Sequence, residues 1–426
     1  MTGRYSGRMN AMRSMKRILH RTVFTAAALA VIGAAAPAGP VCLAADIQSD
    51  PILFYHESSD MPGIQNLIDE FRFDRFLLDG GDEYTRMTLL KDWVYSRIPY
   101  DLNFNDSELR NAQLILRRAR NREPFLCTNL SAVYLQCAVS LGWTARYIFL
   151  RKPTGEEHAA NDIWSNQFRK WIYIDTSWNI HVEKHGVPLS LGEIRIEWKK
   201  NKGRDLVFVY GAGATMKKYT IAQLPVTRQD SKIWSYLPLD RGWLDYTYEV
   251  AVVGRNDFFS CAERNCMGDI WDPMYIILDR LNRRDKGWAF RDRKRVSSLR
   301  QLFHDINRVD IAVENKGAKR WFTARRSVEI SLNAFGKNNF TPNFQEFLVK
   351  VNGEQWKTAG ERFVCTLPPG NNYLRARVVN RFGVLGPVYK KKIFIRGGER
   401  RRRHAVPVAR TAEGFSGHPA RTAVNN

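Results

Sequence analysis

The spacing of apolar residues changes abruptly at Gly142. Before it, apolar or small residues recur every three or four positions, the period of a helix with one buried face, at Leu130, Val133, Tyr134, Cys137, Ala138 and Leu141. After it lie two segments of strand composition, His158–Trp164 and Lys170–Asp175, joined by Ser165–Arg169. We therefore predict a helix that ends at Gly142 and is followed by a β-hairpin, which is an α+β arrangement.

Helical periodicity also occupies the segment from 46 to about 125. Met87–Val94 and Leu109–Arg120 carry apolar residues at helical intervals, so we expect helices here that pack around the following segment. From about 181 to 300 the pattern is mixed. We therefore predict a first domain at 46–230 and a mixed intermediate region at 231–305.

The last third of the chain has the pattern of short strands. Val328–Leu332 and Phe347–Val351 alternate apolar and polar residues, which predicts an all-β sandwich domain over 306–396. Leu367–Asn380 resembles the end of an immunoglobulin-like or fibronectin-like module, in which Tyr373 would tether a corner through its hydroxyl.

Both ends of the chain differ in composition from the middle. The first 45 residues carry six basic residues and no acidic one, with an apolar run at Val23–Ala36. This predicts a Sec-type signal peptide at 1–45, cleaved near Ala44/Ala45, and a secreted or periplasmic protein. An uncleaved membrane anchor is the alternative, but the run is shorter than a spanning helix usually needs, and no later segment is apolar enough to span. Residues 397–426, with Arg400–Arg403, are predicted to be a disordered basic tail.

The protein is strongly basic. Removing the six basic residues of the signal segment lowers the formal net charge from +23 to +17, which favours acidic partners. An anionic cell-surface polymer is one such partner. Nucleic acid is disfavoured, because no zinc-finger spacing, helix-turn-helix pattern or RNA-binding aromatic signature accompanies the charge.

Six cysteines are too few for a disulfide scaffold of this size. Cys137 lies at the centre of the apolar stripe and is expected to be a buried packing residue. Cys365 alternates with apolar neighbours and is expected to be a small core residue. Cys261 and Cys266 are close enough in sequence to form a small disulfide loop in an oxidising compartment.

Cys127 lies in the first turns of the predicted helix. That position favours a thiolate and offers unpaired N–H groups to an oxyanion. If the hairpin turn is centred between Asn166 and Gln167, His158 lies directly opposite Asp175.

The same register places Asp162 opposite Trp171 and Ala160 opposite Tyr173. A cysteine nucleophile, a histidine base and a carboxylate that orients the base are the groups that cysteine catalysis needs. We therefore predict Cys127, His158 and Asp175 as a catalytic triad.

Several segments around these three residues resemble the transglutaminase-like superfamily, which includes the core of peptide N-glycanases. They are Asn111–Leu116, Leu126–Ala132 and Leu141–Tyr147, together with His158, Trp171 and Asp175 in the family's order. The resemblance covers about residues 85 to 180. It implies a papain-like α+β core and a substrate with glutamine-type side chains or peptide bonds, or a glycan-bearing asparagine.

The predicted function is cysteine-dependent acyl chemistry on protein or peptide amides through a thioester, either hydrolysis or transamidation. It requires no cofactor and no metal, since His181 and His185 are interpreted as exposed histidines rather than metal ligands. Trp178 and Trp164 are candidate substrate-binding residues. The alternative is a catalytically inactive secreted binding or adhesion protein, because Phe125 and Ala160 stand where members of the superfamily usually have Gly and Trp.

Overall fold

The computed structural model describes residues 54–77, 80–101, 109–224, 241–263, 275–278, 293–296, 298–314, 326–334 and 341–396. All of them belong to one compact unit, Ile52–Asn426. The predicted signal peptide and basic tail lie outside the described residues, as does Cys266 of the predicted disulfide. In the ranges described, no helix has both the length and the hydropathy to cross a membrane.

Eight α-helices form within the described residues. They are α1 Pro62–Phe71, α2 Asp74–Leu77, α3 Glu83–Arg97, α4 Ala112–Arg120, α5 Cys127–Ser140, α6 Leu191–Asn201, α7 Phe258–Glu263 and α8 Leu299–Leu302, with 3₁₀ helices at Gly213–Thr215, Ile221–Gln223 and Arg241–Tyr248. Asp82 caps α3 by accepting the Thr85 N–H at 2.8 Å, and Asn111 caps α4 by accepting the Leu114 N–H at 2.9 Å. The helices predicted from periodicity are confirmed.

One large sheet forms the centre of the fold. Its strands are β1 Ala145–Arg151, β2 Glu157–Ser165, β3 Lys170–Asp175, β4 Ile180–Lys184, β5 Val187–Pro188, β6 Val207–Tyr210, β7 Lys217–Thr220, β8 Glu249–Val253, β9 Tyr275–Leu278 and β10 Arg293–Val296. The order is β10-β9-β8-β1-β2-β3-β4-β6-β7, with β5 beside β4. Neighbours are antiparallel except β9 and β10. Strands β8, β9 and β10, from the predicted intermediate region, extend the sheet begun by β1.

Two hydrophobic cores lie on opposite faces of this sheet. The core on the first face joins α1, α3, α4 and α5 to alternate residues of β1, β2 and β3. The core on the second face joins the intervening residues of those strands to α6 and to the 3₁₀ helix Arg241–Tyr248. Helix α5 is buried almost along its whole length, and Cys137 is 0% exposed, which confirms its predicted packing role.

The β2–β3 hairpin forms, but its predicted register is wrong. Ser165 pairs with Lys170, and Asp162 faces Tyr173 rather than Trp171. His158 and Asp175 therefore lie diagonally on one face of the sheet instead of directly opposite each other.

A distant carboxylate explains the shift in register. Glu83, at the start of α3, accepts hydrogen bonds from Ser165 Oγ at 2.9 Å, Asn166 Nδ2 at 2.9 Å and the Gln167 N–H at 2.8 Å. Arg169 closes the turn with a φ of 56°. The turn therefore takes four residues between Ser165 and Lys170, and its centre moves one residue towards the C-terminus.

The C-terminal part consists of two further sheets around one core. Their strands are β11 Val309–Glu314, β12 Arg326–Ala334, β13 Phe344–Val351, β14 Lys357–Ala359, β15 Arg362–Leu367, β16 Gly370–Asn380 and β17 Tyr389–Ile395. The sheet orders are β11-β12-β15 and β14-β13-β16-β17. Their facing apolar residues form one cluster, to which Cys365 packs as predicted. Tyr373 does not tether a corner, because it lies within β16 and its side chain is 46% exposed.

The C-terminal sheets contact the core of the first part at Gly142. Asn380 Nδ2 donates a hydrogen bond to the Gly142 carbonyl at 2.7 Å. Gly142 has a φ of 78°, and a Cβ there would collide with the ring of Phe382. Helices with antiparallel sheets, and separate sheets at the C-terminus, confirm the predicted α+β class.

Candidate active site

Cys127 is the first residue of α5. The helix starts here because the buried Asn129 side chain reaches back, accepting the Leu126 N–H at 3.0 Å, and its amide donates to the Leu109 carbonyl at 2.8 Å. The first intrahelical bonds come from the Asn129 and Leu130 N–H groups to the Leu126 carbonyl, so the helix does not use the Cys127 N–H. Cys127 is partly exposed, with its N–H at the positive end of the helix dipole.

His158 connects Cys127 to Asp175. Its Nε2 lies 2.8 Å from Asp175 Oδ2, and its ring interacts with the Cys127 side chain. Because Nε2 is engaged by the carboxylate, Nδ1 is the nitrogen available to the thiol. His158 and Asp175 are only 3% and 0% exposed, whereas Cys127 is partly exposed.

Comparison with known proteins adds little to this geometry. The chain matches no protein-family model, and no curated protein sequence matches it. Among solved structures, a putative cysteine protease from Cytophaga hutchinsonii is similar over 28% of this chain and 39% of its own, at 17% sequence identity and a TM-score of 0.21. What the site can do therefore follows from its own side chains.

Asp175 has hydrogen-bond donors at both oxygens. Oδ2 accepts from His158 and from the Tyr173 hydroxyl at 2.8 Å. Oδ1 accepts from the Ser177 N–H at 3.0 Å and the Trp178 N–H at 3.3 Å. A carboxylate held by four donors keeps its orientation, which fixes the imidazole in turn.

Two aromatic rings enclose the imidazole. Trp178 is stacked on His158 with centroids 4.0 Å apart, and Tyr246 is tilted against it at 5.7 Å. Trp178 is 2% exposed, so it packs against the base rather than lining an open surface. Tyr246 comes from the 3₁₀ helix of the intermediate region, which therefore contributes to the site.

Burial would lower the pKa of His158, but its interactions with Asp175 and Cys127 outweigh burial. The charge and hydrogen bond of Asp175, followed by those of Cys127, raise the pKa of His158 to about 10. The imidazole is therefore cationic at neutral pH. A cationic imidazole beside a thiol stabilises the thiolate, the form in which cysteine is a nucleophile.

A buried lysine supports the turn that follows Asp175. Lys91 is 0% exposed, and its Nζ donates to the Asn179 carbonyl at 2.6 Å, to Asn179 Oδ1 at 2.8 Å and to the Gly211 carbonyl at 2.9 Å. Asn179 Nδ2 donates to Asp92 Oδ1 at 2.7 Å. Burial lowers the pKa of Lys91 to about 7, although Asp92 and Asp175 act against this. Lys91 thus holds the turn that supplies N–H donors to Asp175.

Trp164 does not belong to this cluster. It is 1% exposed, donates its indole N–H to Asn166 Oδ1 at 2.9 Å, and packs edge-on against Trp171. Trp171 in turn lies under the guanidinium of Arg146 at 3.8 Å. The structure therefore places Trp164 in a core at the far end of the hairpin, where it has no contact with the triad.

The two histidines considered as metal ligands are not brought together by a helix. His181 is 1% exposed within β4, which corrects its interpretation as an exposed residue, whereas His185 is exposed in the following turn. Burial is the main cause that lowers the pKa of His181 to about 4. In the described part of the chain, no group of three or more His, Cys, Asp or Glu residues could hold a metal ion.

Sequence reasoning missed Tyr173, Lys91 and Tyr246. Tyr173 was readable in part, since it stands two residues before Asp175 and so shares its face of β3. Lys91 looks like any lysine on an amphipathic helix, and its neighbours Asn179 and Gly211 are far away in sequence. Tyr246 lies in the segment whose pattern was mixed.

Proposed function

We propose that this protein catalyses cysteine-dependent acyl chemistry on protein or peptide amides, with Cys127 as nucleophile, His158 as acid and base, and Asp175 as the group that orients His158. The observation that carries the proposal is the position of the His158 imidazole, which interacts with the Cys127 side chain and is hydrogen-bonded to a carboxylate with both oxygens occupied. Such an arrangement arises where a base must keep one orientation through a reaction cycle.

The reaction begins from the state in which His158 carries the proton and Cys127 is the thiolate. The Cys127 thiolate attacks the amide carbonyl, and the negative oxygen that develops can accept the Cys127 N–H. The tetrahedral intermediate collapses as His158 protonates the leaving nitrogen, which releases ammonia or an amine and leaves a thioester. Water then gives a carboxylic acid, or an amine gives a new amide, and in both cases His158 takes the proton and the thiolate is restored.

The substrate class we propose is a glutamine-type side chain or a peptide bond in a protein outside the cytoplasm. The carbonyl group of such a substrate can reach Cys127, which is partly exposed at the start of α5, while His158 stays buried. The predicted signal peptide and the resemblance to the transglutaminase-like superfamily support the location and the substrate class.

The alternative, a binding protein without turnover, rests on two substituted positions. Phe125 and Ala160 are both 0% exposed, and each lies in a hydrophobic core, Phe125 on the α5 side of the sheet and Ala160 on the other side. The two side chains therefore contribute to packing at their positions, and neither replaces a member of the triad.

Alkylation of the mature protein with iodoacetamide, read by mass spectrometry at each cysteine, tests the proposal. Cys127 should react rapidly below pH 7 and lose that reactivity in His158→Ala. The fully buried Cys137 and the partly buried Cys365 are internal references in the same sample. Labelling of Cys127 at the rate of an ordinary thiol, unchanged by His158→Ala, would favour the binding protein.

Turnover is tested separately with glutamine-containing peptides, with and without a lysine donor. Ammonia release without the donor indicates hydrolysis, and an isopeptide product indicates transamidation. Peptide cleavage without ammonia release indicates a protease. Cys127→Ala is the control for each, and reactive Cys127 with none of these products would contradict the substrate class alone.

A further inference from the structure

The outer face of the sheet β14-β13-β16-β17 carries three basic residues in a single row. Lys350 of β13 pairs directly with Arg375 of β16, and Arg375 pairs with Lys390 of β17. All three point away from the core, since the residues that alternate with them, such as Val349, Ala376 and Leu374, are buried in it. Adjacent strands lie roughly 5 Å apart, so the three cations line up across about 10 Å.

Like charges directly opposite each other destabilise a sheet. None of the three forms a salt bridge within the described residues. Glu346, the acid on the same strand, instead accepts a hydrogen bond from the Thr358 hydroxyl at 2.8 Å. The repulsion within the row is therefore not relieved by an acidic side chain of the described residues. An external anion would be complementary to it in charge.

Further cations and aromatic rings flank the row. On one side of the row lies Arg377 of β16, whose guanidinium is 4.4 Å from the centre of the Trp356 ring. On the other side Tyr373 pairs with Lys392, followed by Phe394. Tyr373 and Phe394 are 46% and 66% exposed, an unusual arrangement for large apolar side chains on a solvated sheet. Exposed rings between cations suit a ligand with flat apolar faces and repeated negative charges.

We propose that this face, defined by Lys350, Arg375, Lys390, Tyr373 and Phe394, binds an acidic polysaccharide. The cations would pair with carboxylate or sulfate groups, and the rings would pack against the C–H faces of sugars. A polymer satisfies the row and its flanks at once, which a single small anion cannot. A polysaccharide rather than a nucleic acid fits the predicted export of the chain. The face belongs to the sheet β14-β13-β16-β17 and not to the sheet that carries His158 and Asp175, so this proposal does not depend on catalysis.

The test uses the full mature chain as Cys127→Ala, with fluorescently labelled heparin and polygalacturonate as probes in anisotropy titrations. Lys350→Gln/Arg375→Gln/Lys390→Gln should weaken binding at low salt by at least about tenfold, because each cation near a polyanion adds to the affinity. Tyr373→Ala/Phe394→Ala should weaken binding to a degree that salt changes little.

A matched control removes the same charge elsewhere. Lys200→Gln/Arg204→Gln/Arg362→Gln changes three exposed cations off this face and should change affinity by less than about twofold, since only long-range attraction is reduced. Equal weakening by both triple variants would overturn the assignment of the face. Tighter binding of a single-stranded oligonucleotide than of either polysaccharide would overturn the class of ligand. Circular dichroism of each variant confirms that the sheets remain folded.

Discussion

The indole of Trp178 stacks on the imidazole of His158, with ring centroids 4.0 Å apart and planes inclined by 13°. The Trp178 N–H also donates to Asp175 Oδ1 at 3.3 Å. One residue therefore limits the rotation of the base and of the carboxylate that orients it. Because Trp178 contacts both the imidazole and the carboxylate, we treat it as a positioning residue.

Replacing Trp178 should separate stability from reactivity. We expect Trp178→Leu and Trp164→Leu each to lower the free energy of unfolding by about 2–4 kcal/mol, since both indoles are buried. Only Trp178→Leu should slow the labelling of Cys127 by iodoacetamide at pH 6, by roughly tenfold, because the base loses its fixed orientation. Equal labelling rates in the two variants would mean that the stack has a structural role alone.

Tyr173→Phe removes a hydrogen bond to a charged acceptor. A bond to a charged group contributes about 1.5–3 kcal/mol, against about 0.5–1.5 kcal/mol for a neutral one. We therefore expect Tyr173→Phe to destabilise the protein more than Tyr134→Phe, whose hydroxyl donates to the Met87 carbonyl at 3.3 Å. Urea unfolding at pH 7 measures both. In an Asp175→Asn background, Tyr173→Phe and Tyr134→Phe should lower the free energy of unfolding by similar amounts. A larger decrease for Tyr173→Phe in that background would count against a role for the carboxylate charge.

Lys91→Met should destabilise the protein by about 2–4 kcal/mol, because it removes the amine that donates to the Gly211 carbonyl and to Asn179 Oδ1 in the core. The partly exposed Lys218, which is paired with Glu183, is the matched control, and Lys218→Met should cost much less. We also expect slower labelling of Cys127 in Lys91→Met, since the turn that holds Asp175 loosens. Labelling at the native rate would show that the turn keeps its shape without the lysine.

His158 and Lys91 should give opposite dependences of stability on pH. The pKa of His158 is raised from 6.5 to about 10, so its contribution is fully present below pH 6.5 and is lost as pH rises towards 10. The pKa of Lys91 is lowered from 10.5 to about 7, so the unfolded chain binds the extra proton, and stability from this group rises between pH 7 and 10.5.

Urea unfolding from pH 6 to pH 10 checks these signs. Lys91→Met should become less stable with rising pH in the range where His158→Gln becomes more stable, and the native protein should lie between them. Parallel profiles for the two variants would contradict one or both of the charge states described for the site.

The elements of this fold that the sequence predicts correctly are those set by residues close together in the chain. Helices α3, α4 and α5 follow from the three- and four-residue spacing of their apolar residues, and the hairpin follows from its composition. Its register did not follow, because Glu83 sets the turn from more than eighty residues away. Strand β8 was missed for a similar reason, since its place beside β1 depends on pairing between distant segments.

The triad residues could be proposed because each stands at a recognisable point, a helix start, a strand start and a strand end. The residues that hold the triad in place could not be predicted in the same way. Lys91 gains its role only when Asn179 and Gly211 meet its amine, and Tyr246 gains its role only when the 3₁₀ helix covers the second face of the sheet.

The contact at Gly142 limits how the C-terminal sheets could be exchanged between proteins. Asn380 donates a hydrogen bond to the Gly142 carbonyl just after helix α5, and Phe382 covers a glycine whose hydrogen cannot be replaced by a larger group. A substituted C-terminal module without an Asn-x-Phe turn at this point would leave the Gly142 carbonyl without this hydrogen bond and Gly142 uncovered at the C-terminal end of α5. Recombination at the boundary near residue 306 should therefore give folded chimeras only when the incoming module brings that turn with it.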